Sequence, residues 1–378
     1  MNEPASPQIL PISSAASVGV GTGTPPGPSL RDALSARFFF NGPLEYLLIG
    51  GVLSLITVII AKLVTHSDSY ADTMAFATVI LLANGAHFGS STVRLYTKPG
   101  TRQQWPNLTM IFPLLALGIL TVCLAFPRGI GTHLQSLYLT WTPYHYAAQA
   151  YGLAVMYSFR SGCMLAPTDK KLLWWVCMSP VLYAWLTSTS AGLLWFLQPE
   201  QVAAIPLLAN TAAFLEVILP VIGFGAPVVL FLKIWRTEKR PMPLISLVVI
   251  VTNGAWWFLF RPMEAFLWAT VFHSIQYLAI MLVFHLKDQM QAPSNRHSAP
   301  FHAVSFYLMS AGLGYALFQI LPWTYTLVGF GLVESILLVG AAVNLHHFIV
   351  DSFIWRLRKD KDAGNNRVLS AGAPEPAY

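Results

Sequence analysis

PLLANTAAFLEVILPVIGFGAPVVLFL, residues 206–232, carries one ionisable side chain, Glu216, in 27 residues. A membrane-spanning helix needs roughly 20 apolar residues at 1.5 Å rise each to cross about 30 Å of hydrocarbon, and this run is longer than that. Its Pro220, Gly223, Gly225 and Pro227 predict a kink, because proline removes a backbone hydrogen bond and crowds the preceding turn. Nine further apolar runs lie near 44–64, 73–95, 107–126, 136–159, 172–197, 242–260, 263–286, 302–322 and 325–355. The expected fold is therefore all-α, a polytopic transmembrane helical bundle of about ten spans over residues 41–358. Residues 1–40, rich in Pro, Gly and Ser, read as a disordered leader and juxtamembrane segment, and 359–378 as a polar cytoplasmic tail.

Composition agrees. Of 378 residues, 55% are hydrophobic and 10% charged, against about a quarter charged in soluble domains; so few charges cannot cover a water-soluble core. The net charge of +6 does not indicate nucleic acid, because the basic residues form short clusters between apolar runs. No Lys or Arg precedes Arg31, so the leader lacks the basic n-region of a secretory signal. Cys123, Cys163 and Cys177 form no CxxC pair, which argues against a disulfide framework or a thiolate zinc site.

Lys and Arg are retained on the cytoplasmic side of a membrane. With the N-terminus inside, ten spans leave on that side Arg31 and Arg37; Arg94, Lys98 and Arg102; Arg160, Lys170 and Lys171; Lys233, Arg236, Lys239 and Arg240; Lys287 and Arg296; and Arg356, Arg358, Lys359, Lys361 and Arg367. These are 19 of the 22 basic residues; only Lys62, Arg128 and Arg261 fall opposite. Both termini are expected in the cytoplasm, the membrane being a bacterial inner (cytoplasmic) membrane.

Function is sought among polar residues that the bilayer makes expensive. Four histidines share a depth. His87 is seven residues from Arg94, His347 nine from Arg356, His273 fourteen from Lys287 and His145 fifteen from Arg160, all roughly 10 to 22 Å from the cytoplasmic boundary. An amide lies three or four residues from each: Asn84, Gln149, Gln276 and Asn344. Residues three or four apart share a helix face, so Asn344, His347 and Asp351 form one stripe, His87 lies with Asn84 and Ser91, and His273 with Gln276 and Tyr277, while His346 points elsewhere. Several imidazoles with a carboxylate suit a non-haem transition-metal centre. The expected ligands are His87, His145, His273 and His347, with Asp351 or Glu216 as carboxylates, and the four amides are expected to orient the rings through their distal nitrogens. Trp355 and Arg356 read as a membrane-surface anchor.

Iron or another transition metal is the expected cofactor. No Walker motif, dinucleotide glycine loop, GxSxG or HExxH occurs, so no nucleotide cofactor is expected. The HxxxH and HxxHH boxes of membrane desaturases and alkane hydroxylases are absent. His273 and His285, twelve residues apart, diverge by about 120° and cannot ligate stacked haems. The set has a general likeness to histidine-rich membrane oxygenases, without a motif that names a family. The expectation is a metal-dependent oxidoreductase acting on a lipid or isoprenoid, partnered by the bilayer, an apolar substrate and a redox partner, with no nucleic acid. The alternatives are a proton-coupled transporter using Glu216 and Glu334, or a non-catalytic membrane scaffold.

Overall fold

The computed structural model describes residues 36–64, 81–98, 100–188, 191–238 and 240–355. Most of the expected leader, the start of the 73–95 run and the tail at 359–378 lie outside the described residues. Of the described residues 84% are helical and none forms a strand.

Helix α1 (Gly42–Ile49) turns by 53° at the Gly50–Gly51 step into α2 (Val52–Val64); Gly51 takes φ +86° there, a conformation open to glycine because it lacks Cβ. The others are α3 (Ala86–Thr97, led by a π-helical turn Leu81–Gly85), α4 (Asn107–Ala125), α5 (Ile130–Arg160), α6 (Pro167–Thr187), α7 (Pro206–Thr237), α8 (Leu244–Leu259), α9 (Pro262–Met290), α10 (Ala299–Leu327) and α11 (Leu332–Ile354). Proline occupies the first or second position of α6, α7, α9 and α10, where its missing N–H would have no intrahelical partner in any case.

Two expected runs are divided differently. The run 172–197 ends as α6 at Thr187 and resumes only as a short 3₁₀ turn, Gly192–Trp195. The run 325–355 is cut between α10 and α11, where Gly329 at φ +99° ends one helix. By contrast α7 stays helical through Pro220 and Pro227.

Among the described residues five helices, α4, α7, α9, α10 and α11, are long and apolar enough to cross a membrane, or six if the bent α1–α2 pair counts as one span. Helix α8 is apolar but shorter, and the long α5 carries His145, Gln149 and many tyrosines and threonines. Centre and periphery are distinct: 61% of the apolar stretch of α9 and 50% of that of α11 is buried in the bundle, against 17% for α10 and 28% for α4. On α7, Leu207, Val217 and Val229 are 80%, 71% and 68% exposed, an apolar surface of the kind that meets lipid or a protein partner.

The helices that hold the site pack in sequence: α9 against α3, α3 against α11 and α11 against α5. Helix α3 is also clamped to α10. A Cβ at Gly89 would stand 1.9 Å from the Ser310 carbonyl oxygen, and one at Gly314 would stand 2.1 Å from the Gly85 carbonyl oxygen. Gly85-x-x-x-Gly89 on α3 thus meets Ser310-x-x-x-Gly314 on α10, small residues letting two backbones approach where apolar burial against lipid drives no association. Across the bundle, Leu173, Cys177, Ile234 and Ile250 form the largest apolar core, joining α6, α7 and α8 to α5.

Candidate metal centre

One ring nitrogen from each of His87 (α3), His145 (α5), His273 (α9) and His347 (α11) lies within 4.8 Å of every other. Ring centroids are 4.4 Å apart for His87–His347, 4.9 Å for His87–His273 and His145–His273, and 5.1 Å for His145–His347. All four are at least nine-tenths buried. Four atoms so placed share a centre within about 3 Å of each, so ring movements of about 1 Å would reach metal–nitrogen bond lengths of about 2.0–2.1 Å.

Serines lie behind two of the rings. Ser91 Oγ has the Phe88 carbonyl at 3.0 Å and His347 Nδ1 at 2.9 Å. Ser274 Oγ has the Thr270 carbonyl at 2.7 Å, Asn84 Oδ1 at 3.1 Å and His87 Nδ1 at 3.3 Å. With the hydroxyl hydrogens directed to the carbonyls, both rings would donate from Nδ1 and present a lone pair on Nε2. The Nε2 atoms of all four histidines are sealed from solvent, and no group among the described residues hydrogen-bonds to any of them. Buried polar atoms are almost always partnered, and four clustered imidazoles that each carry such an atom are a donor set for a cation.

Asp351, one turn beyond His347 on α11, belongs to the same constellation. Its Oδ2 lies 3.3 Å from His347 Nε2 and 3.9 Å from His145 Nε2, while Oδ1 accepts the Tyr277 hydroxyl at 2.6 Å. A carboxylate oxygen facing a lone pair repels it unless a cation, a proton or a metal, lies between them. Aromatic rings complete the wall: Tyr146 stacks on His273 at 4.1 Å, Phe348 on His145 at 4.4 Å, and Phe88 stands edge-on to His347 at 4.8 Å.

Glu216 lies on an exposed face of α7 and is not among the clustered residues. Glu334 is exposed in the first turn of α11. His346 turns to α4, stacked on Phe112 at 4.8 Å. None of the four amides hydrogen-bonds directly to a ring nitrogen. Asn84 reaches His87 only through Ser274; Gln149 donates to the His273 carbonyl and to Gln276, both at 3.4 Å, tying α5 to α9; Gln276 donates to the Ile49 carbonyl at 2.8 Å; and Asn344 donates to Gly340 in its own helix at 2.8 Å. The side chains hydrogen-bonded to ring nitrogens, at His87 and His347, are serines. Ser274 had no distinguishing signal in the sequence, whereas the Gly85-x-x-x-Gly89 step that seats His87 was visible there as a small-residue motif.

A four-histidine cluster of this kind can hold a metal ion, and the membrane-like apolar helices around it are compatible with an intramembrane metal site. No family model matches the chain, and neither a curated protein nor a solved structure matches it.

Proposed function

We propose that the chain is a ten-span membrane metalloprotein whose His87, His145, His273, His347 and Asp351 hold one first-row transition metal for oxidation of a lipid or isoprenoid. The observation that carries this reading is the clustering of one ring nitrogen from each of four buried histidines whose Nε2 atoms have no hydrogen-bond partner among the described residues, two of the rings being backed by serines. Imidazoles suit iron, copper, nickel and zinc, and the carboxylate shifts preference toward iron or manganese; iron is the choice tested first. A bound metal would supply redox or Lewis-acid chemistry to a substrate drawn from the bilayer. The chain's own contributions are separate: the histidines provide neutral donors, Ser91 and Ser274 orient two rings, Tyr277 holds Asp351, and Phe88 and Phe348 exclude water.

Ten spans follow if α1–α2 counts as one and each later helix as another, both termini then facing the cytoplasm of a bacterial inner membrane. The positions of 19 of 22 basic residues support that topology, which places the centre in the cytoplasmic half, within reach of a redox partner.

The experiment is titration of metal-stripped, detergent-purified protein with Fe2+ and with Co2+, the latter reporting imidazole ligation through its ligand-field bands. One equivalent bound, with bands abolished in His347→Ala, supports the centre. In parallel, lipid extracts of membranes holding wild type or Asp351→Ala are compared by mass spectrometry for an oxidised isoprenoid or acyl chain. The 3.3 Å contact between Asp351 and His347 also favours a second reading, a shared proton in a proton-coupled transporter; protein that binds no metal yet acidifies vesicles on substrate uptake would select it.

A further inference from the structure

A second feature borders His273, which with Ser54, Thr252, Asn253, Trp256 and Gln276 lines a cavity of about 30 Å³, room for one or two water molecules. Thr252, 5% exposed, has a hydroxyl sealed from solvent with no hydrogen-bond partner among the described residues. Its behaviour is unlike that of other helical threonines here: Thr57, Thr142 and Thr270 each return their hydroxyl to the carbonyl four residues back, the usual local solution. Thr252 leaves that carbonyl alone and lines the cavity instead.

The surrounding side chains are otherwise committed in a pattern that leaves the cavity a few free valences. Ser54 Oγ accepts the Trp256 indole N–H at 2.6 Å, and its own hydrogen has no described acceptor. Asn253 donates its amide to the Cys177 carbonyl at 3.2 Å, keeping its carbonyl oxygen. Gln276 uses one N–H on the Ile49 carbonyl and accepts from Gln149 through its oxygen. His87 and His347 have serines at their Nδ1 atoms, but among the described residues His273 has no such partner; with its buried Nε2 taken as the nitrogen in the cluster, the Nδ1 edge of the ring is the one that can meet the cavity.

We propose that this cavity is a water site and that the water does for His273 what Ser91 does for His347. It accepts from His273 Nδ1–H and donates to Thr252 Oγ1, with Ser54 and Asn253 available to complete its shell; a buried water needs two to four such partners. Thr252 is thus a positioning residue, acting on the metal site only through the water and the tautomer of His273. The proposal rests on the metal reading for its consequence, but the tautomer it assigns exists with or without metal.

The test uses full-length protein and three variants: Thr252→Val, of the same shape without the hydroxyl, Thr252→Ser, which restores it, and Ser91→Ala as comparison. In metal-free protein, ¹⁵N NMR of the histidine rings should show His273 protonated at Nδ1 in wild type and in Thr252→Ser, and a mixture of tautomers in Thr252→Val. Competition titration with Co2+ should then show a 10- to 100-fold weaker affinity for Thr252→Val, the range for lost ligand-orienting hydrogen bonds, recovered in Thr252→Ser. A His273 protonated at Nε2 in wild type, or an Nδ1 tautomer indifferent to Thr252→Val, overturns the water site. Wild type that binds no Co2+ yet shows the predicted tautomers removes the metal reading and leaves the water site standing.

Discussion

Replacing Gly89 by alanine should dislodge α3, and with it His87, through a contact that has nothing to do with metal chemistry. The added Cβ would lie 1.9 Å from the Ser310 carbonyl oxygen, 2.8 Å from the Ser310 carbonyl carbon and 3.1 Å from the Gly314 nitrogen. Carbon and carbonyl oxygen approach no closer than about 3.3 Å in packed helices, so α3 and α10 must separate by about 1.4 Å, and the obstacle is backbone, which cannot rotate away. Overpacking of this kind costs typically 1–3 kcal/mol, and backbone opposition puts Gly89→Ala at the upper end. Binding already asks each ring to move about 1 Å, and a helix shift of about 1.4 Å adds to that at His87 alone. Gly312→Ala on the same α10, where an added Cβ meets nothing within 4 Å, is the control. Thermal unfolding in detergent should show Gly89→Ala lower in Tm by about 5 °C or more and depleted in metal, with Gly312→Ala matching wild type in both. Gly89→Ala with wild-type Tm and metal content would refute the close crossing and the claim that it seats His87.

Three other perturbations have definite outcomes. Ser91→Ala removes the acceptor at His347 Nδ1 and should weaken metal binding 10- to 100-fold at a stability loss of about 1 kcal/mol, read by competition titration and by denaturation. Asp288→Asn removes the charge paired at 3.0 Å with Arg94, whose side chain is 2% exposed; since breaking a buried pair costs about 3–5 kcal/mol and Asp288 is itself 19% exposed, a loss of about 2–3 kcal/mol is expected in the same denaturation assay. Glu216→Gln, on the exposed face of α7, should leave metal content unchanged by elemental analysis.

Residue counting from the basic anchors sets the four histidines in one half of the membrane, roughly 10 to 22 Å deep, because a helix converts sequence distance into depth at a fixed rise. Height is all it gives. Which helices are neighbours depends on lateral packing, here set by Gly85 and Gly89 against Ser310 and Gly314 and by the order α9, α3, α11, α5. Asp351 was reachable from the i, i+4 stripe with His347, because both positions lie on one helix. Glu216 was drawn in by its cost in an apolar run, yet the face it occupies on α7 is exposed, a fact that composition does not encode. The amides were expected to orient the rings, but a mid-helix amide can satisfy itself on its own backbone, as Asn344 does with Gly340. Serines met that need instead, and a serine in an apolar helix looks the same in sequence whether it bonds backward or faces a histidine. The division of the 325–355 run was foreshadowed by Gly329 and Gly331, two helix-ending residues that hydropathy averages away.

Elemental analysis of detergent-purified, full-length protein tests the central claim most directly, with wild type compared with folded His145→Ala and His273→Ala variants. The account predicts near-stoichiometric iron, or another single first-row metal, in wild type and its loss in both variants. Metal-free wild type that is folded and cannot be reconstituted, or metal that persists undiminished when His145 and His273 are removed, would contradict it.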